Sequence, residues 1–288
     1  MKKILLLGGA GFLGTNLSKT LKNRFILIKQ SRKKKKNFLK FDPKNIKLLK
    51  KVIFKYSPDL IINLIAETNV DKCEKNLKIA KSANVLVNKN LVKIYKNSNK
   101  KFFVIYISTD QVYSKRFKNK EPEVLAINNY AKTKLKGESI IKEIPSAIIR
   151  TNFFGKHKIK KNKKHFLDWV YRSLKNKDHI IGFNNMYFNP LHISTLSKIL
   201  LKFCQTKLTG TYNVGSKNII SKGKFILFFS KKINIVNKNL LIKDYKLKKN
   251  LAPRPLYMGM NVSKIERKLN IRLPKIENEI KKGVNEFK

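Results

Sequence analysis

An apolar run, Lys3 to Leu7, leads directly into Gly8-Gly9-Ala10-Gly11-Phe12-Leu13-Gly14, and the residues that follow read as an amphipathic helix over Phe12 to Leu21. Glycines at positions 8, 11 and 14 let the chain turn sharply between strand and helix. They also bring the backbone close to a phosphate and let the helix pack tightly on the strand. An anion resting on the first turn of such a helix meets backbone N–H groups and the positive end of the helix dipole. The spacing G-x-x-G-x-x-G therefore points to a dinucleotide gripped at its pyrophosphate. The opening Met-Lys-Lys followed by apolar residues also has the profile of a signal peptide, but the glycine loop gives those residues a better use.

Short apolar runs alternate with amphipathic segments through the first half. Strands are expected at Lys3 to Leu7, Phe25 to Lys29, Leu60 to Leu64, Phe102 to Ser108 and Ala147 to Arg150. Helices are expected over Phe12 to Leu21, Asn45 to Tyr56, Lys72 to Asn97 and Asn128 to Lys142. This alternation predicts a doubly wound α/β fold with a parallel sheet. After Arg150 the pattern loosens. A lysine-rich loop, Lys156 to Lys164, precedes a helix carrying Phe166, Trp169 and Val170; Asn189 to Ile193 turns into a helix, Ser194 to Phe203, and Gly210 to Val214 reads as a strand. The last third, with Pro253, Pro255 and Pro274, reads as a smaller mixed α/β domain. The expected division is a nucleotide-binding domain over 1–155, to which 190–214 return, and a substrate-binding domain over 156–189 and 215–288.

Composition excludes several classes. About a third of the 288 residues are Leu, Ile, Val or Phe, so the bulk of the chain is able to bury a core. The longest apolar stretches, Ile4 to Leu7 and Phe225 to Phe229, fall far short of the roughly 20 residues that span a bilayer. Cys73 and Cys204 form neither a disulfide framework nor a metal spacing, and His157, His165, His179 and His192 show no helical metal spacing. No metal is expected, and a reducing cytoplasm is the default compartment. The net charge of +49 invites a nucleic-acid reading. However, the chain has 58 Lys, 31 Asn and 33 Ile against eight Arg and eight Ala, the skew that A/T-rich codons produce. A surface built for phosphate and guanine favours Arg. The lysines read as a solvated basic surface, with no specific nucleic acid expected.

Sites for NAD usually place a carboxylate at the end of the second strand to grip the ribose 2′-hydroxyl. Here the chain has Gln30-Ser31-Arg32-Lys33. A guanidinium with no acid beside it suits a 2′-phosphate, so NADPH is expected through Arg32, with NADH left open. Asp42 is placed either to accept from the adenine amino group or to cap the helix that follows.

A tyrosine four residues before a lysine puts both side chains on one helix face. An ammonium beside a phenol favours phenolate and lowers the tyrosine pKa, readying it for proton exchange with a carbonyl or alcohol oxygen. Three such pairs occur: Tyr130/Lys134, Tyr171/Lys175 and Tyr245/Lys249. In a chain with one lysine in five residues the spacing means little by itself. Only Tyr130 lies in the α/β half, about twenty residues after a strand ending in Ser108-Thr109-Asp110, whose hydroxyl is able to share a substrate oxygen.

The glycine loop, Ile62-Asn63-Leu64-Ile65-Ala66, Ile107 to Tyr113 and Asn129 to Glu138 together resemble the extended short-chain dehydrogenase/reductases, which are built on a Rossmann-type domain. Within them, Pro58-Asp59 to Glu74, with Thr68-Asn69-Val70-Asp71, and the late Arg254-Pro255 resemble the dTDP-4-dehydrorhamnose reductase family. The resemblance is firm to Gly155 and looser beyond. It implies reduction of the 4-keto group of a nucleoside-diphosphate 6-deoxyhexose, with Thr109, Tyr130 and Lys134 as the catalytic group. It further implies that Gly8, Gly11, Phe12, Leu13, Gly14, Leu64, Ala66, Tyr130 and Lys134 lie at the cofactor. Dehydratases of this superfamily carry a glutamate where this chain has Gln111, an amide unable to act as a base, and no cysteine of the epimerase-reductase kind lies in Ser108 to Ser114. Epimerisation by oxidation and re-reduction stays open, as does a non-catalytic dinucleotide-binding subunit. Arg254 is a candidate for the substrate diphosphate, a structural salt bridge being its alternative. Asn152 and Asn189 are further substrate candidates, with turn-forming roles as the alternative. Glu67 stands where the family usually has an apolar residue or tyrosine, without a physical account. The sequence leaves the oligomeric state open, a homodimer included.

Overall fold

In the computed structural model, which describes residues 1–157, 165–247 and 250–288, the apolar runs of the first half become strands of one sheet. In chain order the elements are β1 (Lys3–Leu7), α1 (Phe12–Leu21), β2 (Ile26–Ser31), β3 (Leu39–Lys40), α2 (Ile46–Tyr56), β4 (Leu60–Asn63), α3 (Val70–Lys75), α4 (Leu77–Asn84), α5 (Leu86–Lys96), β5 (Phe103–Thr109), α6 (Asn129–Ile141) and β6 (Ser146–Thr151). There follow β7 (Phe153–Phe154), α7 (Phe166–Lys175), β8 (Ile180–Phe183), β9 (Tyr187–Phe188), β10 (Leu191–His192), α8 (Ile193–Thr206), β11 (Gly210–Val214), β12 (Ile220–Ser221), α9 (Lys222–Ile233), β13 (Leu240–Lys243), α10 (Ser263–Leu269) and α11 (Ile276–Asn285).

The seven-stranded sheet has the order β11-β6-β5-β4-β1-β2-β3. Strand β1 runs parallel to both β2 and β4, and β4 runs parallel to β5. The chain builds outward from β1 to β3, then crosses to the other side of β1. That reversal, between β1 and β4, is the switch point at which a doubly wound sheet opens its ligand crevice. Residues Ile4 to Leu7 are fully buried, which explains an unbroken apolar run where a half-exposed strand would alternate.

The single long helix expected over Lys72 to Asn97 is instead α3, α4 and α5. Asn76 makes the first break: its N–H closes α3 on the Lys72 carbonyl, and its side chain accepts from the Ile79 N–H to begin α4. Two orphaned helix ends are satisfied by one residue, a capping signal that outweighs the continuous amphipathic pattern. Part of the lysine-rich loop, 158–164, lies outside the described residues.

The chain divides into two units, 1–112 with 126–150 and 197–212, and 113–125 with 151–196 and 213–288. The expected boundaries therefore shift. Residues 113–125 and 151–155 go with the second unit, and of 190–214 only 197–212 join the first. The first unit's core is built from residues such as Leu5, Ile53, Ile61, Leu91, Val104 and Ile148. The second unit pairs β7 with β10, β9 with β12 and β8 with β13 around an aromatic core that includes Phe154, Phe188, Phe225 and Phe229. Among the described residues no helix is long and apolar enough to cross a membrane.

Candidate active site

The glycine loop fits a pyrophosphate for reasons visible at each glycine. Gly8 has φ +77°, a left-handed conformation costly for other residues, and its carbonyl accepts from the Gly11 N–H at 3.0 Å. A Cβ on Gly14 would lie 2.6 Å from the Gly9 carbonyl oxygen, so only glycine lets α1 sit this close to the loop. No side chain caps the first turn of α1, whose N-cap is Gly11. An anion is the natural complement of those amides. Gln30, noted in the sequence only as a missing acid, has a positive role: its Oε1 accepts from the Gly8 N–H at 2.9 Å, while its Nε2 donates to the Phe41 carbonyl at 2.6 Å.

Leu64 extends β4 toward the loop, its N–H donating to the Leu7 carbonyl, and its Cβ lies 3.4 Å from where a Gly8 Cβ would sit. Phe12 and Ala66 are half-buried, Leu13 is buried, and Arg32 is exposed just beyond the end of β2. Asp42 is not the cap of α2. That role falls to Asn45, whose side chain accepts from the Leu48 N–H, while Asp42 accepts from the Lys44 N–H and pairs with its ammonium at 3.5 Å.

Thr109 ends β5 and Tyr130 opens α6. The Thr109 hydroxyl lies beside the Tyr130 phenol; its Oγ1 donates to Asp110 Oδ1 and accepts from the Gln111 N–H, both at 3.2 Å. The start of α6 is fixed twice. Asn128 accepts from the Ala131 N–H at 2.8 Å, and Glu74, from α3, accepts from the Asn129 N–H at 2.8 Å. A carboxylate there also complements the helix dipole. One turn on, Lys134 is 1% exposed; its Nζ donates to the Ile107 carbonyl at 2.6 Å and lies 4.1 Å from the centroid of the Tyr106 ring.

Burial decides the protonation of this group. It pulls the Lys134 amine down to about 7, with the Glu138 charge acting in the opposite direction. It pushes the Tyr130 phenol well above its ordinary value, the neighbouring Thr109 hydroxyl opposing only in part. The expected lowering of the tyrosine by its lysine is therefore not the governing effect in this structure, because desolvation outweighs it. Tyr130 is a neutral phenol here, the state that gives a proton rather than takes one.

Of the other spaced pairs, Tyr171 on α7 stacks on Phe287 at 4.2 Å, and Lys249 lies outside the described residues. In the second unit, Asn189 is fully buried and clamps the backbone. Its Nδ2 donates to the Ser216 and Met260 carbonyls and its Oδ1 accepts from the Met260 N–H. Both ends of its amide are thus engaged, the turn-forming alternative. Asn152 is half-buried and accepts from the Leu191 N–H through its carbonyl; Arg254 is half-buried and donates from Nη1 to the Ala252 carbonyl at 3.0 Å. Glu67 now has an account: it accepts from the Asn69 N–H and pairs with Lys72 at 2.8 Å, closing the turn into α3. Gln111 has a buried Oε1 with no hydrogen-bond partner among the described residues.

Sequence reasoning missed the polar links behind these side chains. Asn63 on β4 donates to Asn88 on α5, which donates to the Gly137 carbonyl on α6. Asn84 donates to Thr133. Asparagine is so common in this chain that no signal marked these in advance. Glu138 in an amphipathic helix and Arg150 at the end of a strand were likewise unmarked, charge being ordinary at both places.

The whole of 1–288 matches the family described as RmlD substrate binding domain. The chain belongs to that family. Its members include oxidoreductases of the dTDP-4-dehydrorhamnose reductase kind. The chain is 25% identical over 234 residues, 78% of this chain and 76% of the relative, to a probable low-salt glycan biosynthesis reductase of Haloferax volcanii. It is 26% identical over 218 residues, 73% of this chain and 70% of the relative, to a dTDP-4-dehydrorhamnose reductase of Aggregatibacter actinomycetemcomitans. The crystal structure of dTDP-4-dehydrorhamnose reductase from Bacillus anthracis in complex with NADP superposes with a TM-score of 0.88 at 24% identity, covering 99% of this chain and 100% of that one. This establishes the Rossmann-type fold.

Proposed function

We propose that the protein reduces the 4-keto group of a nucleoside-diphosphate 6-deoxyhexose with NADPH. The observation that carries this reading is the buried, neutral Tyr130 phenol beside the Thr109 hydroxyl, with Lys134 one turn along the same helix. A keto oxygen placed at that phenol meets one proton donor and one hydroxyl. When bound, the dinucleotide supplies the hydride. The chain's own residues do the rest. Gly8, Gly11 and Gly14, with the open first turn of α1, hold the pyrophosphate; Phe12, Leu13, Leu64 and Ala66 border it. Arg32 faces the 2′-phosphate. Lys134 holds the ribose hydroxyls, Thr109 orients the keto oxygen, and Tyr130 gives it the proton as the alkoxide forms. Arg254 takes the substrate diphosphate, with Asn152 beside the sugar.

Gln111 favours reduction over dehydration, since an amide does not abstract a proton. The NADP found with the Bacillus anthracis protein supports the choice of cofactor. The test is incubation with NADPH and dTDP-, UDP-, GDP- and CDP-linked 4-keto sugars, following loss of absorbance and identifying the product by mass. Consumption of NADPH with a product two hydrogens heavier is expected. An isomerised product with no net NADPH loss would instead assign an epimerase.

A further inference from the structure

Behind the Tyr130/Lys134 pair lies a second set of buried polar groups to which the proposed reaction gives no part. Glu138 follows Lys134 by one helical turn, on the same face of α6, and is 1% exposed. Arg150 on β6, 3% exposed, grips it with Nε at 3.0 and 3.2 Å from the two carboxylate oxygens and Nη2 at 2.6 Å from Oε2. The Ser108 hydroxyl on β5 donates to the same carboxylate. Ser108 adjoins Ile107, whose carbonyl receives the Lys134 ammonium. Two successive residues of β5 therefore bind two successive turns of α6. Gly137 makes the close approach feasible, because a Cβ there would lie 2.7 Å from the Tyr106 hydroxyl.

We infer that Glu138, fixed by Arg150 and Ser108, is a positioning residue that supplies the negative charge the buried Lys134 needs and sets its aim. This rests on the reductase reading for the use of Lys134 but not for the geometry. Burying an ammonium without a counter-charge is costly, and a carboxylate restores its charged form. The charged and titratable groups around Lys134 are few. From α6 come Tyr130 and Glu138, from β5 comes Tyr106 with its ring under the ammonium, and from β6 comes Arg150 through its bond to Glu138, while the buried Asp110, just past β5, and Cys73 on α3 act on Tyr130. Tyr106 and Tyr130 are both pushed toward the neutral phenol by burial, so Glu138 is the only one of these that offers Lys134 a compensating negative charge. A carboxylate pinned by an arginine and a serine also stays in one rotamer, whereas a free one would swing.

The test measures NADPH binding by fluorescence, and kcat/KM for the reduced substrate, across pH 5.5 to 9. In Glu138→Gln the alkaline limb of both profiles is expected to move about one unit or more toward acid, so the deficit is tenfold or larger near pH 8 and shrinks toward pH 6. Glu138→Asp should recover much of the wild-type limb. The double variant Glu138→Gln with Arg150→Gln removes the carboxylate together with the guanidinium that partly offsets it, so an acid shift smaller than that of the single variant is expected; it carries the measurement should the single variant fail to fold. A uniform loss at every pH, or an unmoved limb, would overturn the inference and leave Glu138 a purely structural group. If the wild type binds NADPH but reduces no keto sugar, the reductase reading fails while the binding profile still decides the role of Glu138.

Discussion

At the level of single residues, the site is governed by desolvation. Tyr130 and Lys134 are spaced for one helix face, and the sequence showed that much; how deeply they are buried, and hence which of them carries a proton, it did not. Tyr130→Phe removes the proposed proton donor and should lower turnover by roughly 10² to 10⁴-fold. NADPH affinity should change only a few-fold, as read by fluorescence titration. A variant turning over at near the wild-type rate would remove the mechanism. Lys134 makes a second prediction through stability. Its folded value, about 7, lies below its ordinary 10.5, so between these pH values the unfolded chain binds more protons than the folded one. Stability from this residue therefore rises as pH climbs through that window, and its burial is most unfavourable below pH 7. Lys134→Met should be inactive yet melt higher than wild type at about pH 6, with the gap closing toward pH 10. Equal melting shifts at both ends of the range would show that burial of the charge is not what destabilises. Gln30 and Glu67 were read only as departures from a pattern, because spacing along the chain does not say which backbone group a polar side chain meets; Gln30 reaches Gly8, 22 residues back, and Phe41, 11 residues on, while Glu67 closes a turn with Asn69 and Lys72 close by in the chain.

At the level of elements, strands were the easier part. A strand buried on both faces is an unbroken apolar run, and β1, β4 and β5 differ from their expected bounds by at most one residue at each end. Helix breaks were harder, since α3, α4 and α5 share a continuous amphipathic pattern and only the caps at Asn76 and Val85 divide them. Asn76→Ala should cost about 1 kcal/mol in urea unfolding, since it frees the Ile79 amide. Gly137 tests packing against propensity. Alanine would improve the helix by up to about 1 kcal/mol, yet its Cβ would lie 2.5 Å from the Asn84 carbonyl oxygen and 2.7 Å from the Tyr106 hydroxyl. Overpacking of this kind costs roughly 1–3 kcal/mol, so a net loss of stability is expected for Gly137→Ala, together with weaker NADPH binding as α6 moves off β5. A stabilised variant would mean that α4 yields freely.

For the molecule as a whole, charge is the property least tied to the fold. With 66 basic and 17 acidic residues, most lysines have no acid to pair with, and their mutual repulsion opposes folding. Raising NaCl from about 0.05 to about 0.5 M shortens the Debye length to a few ångströms, so the melting temperature should rise while any duplex DNA binding falls away. Salt-resistant, sequence-selective DNA binding would contradict the reading of these lysines as a solvated surface. The sequence by itself determined the strands of the sheet, the glycine loop and the spacing of Tyr130 and Lys134, because each is set by residues within a few positions of one another. Tertiary structure alone decided that Asn76 divides a helix pattern and that Asn189 clamps a turn. It also placed Glu138 with Arg150 and Ser108 behind the lysine. Those outcomes depend on which distant backbone or charge a polar side chain meets once water is excluded, and a one-dimensional pattern carries no measure of that distance.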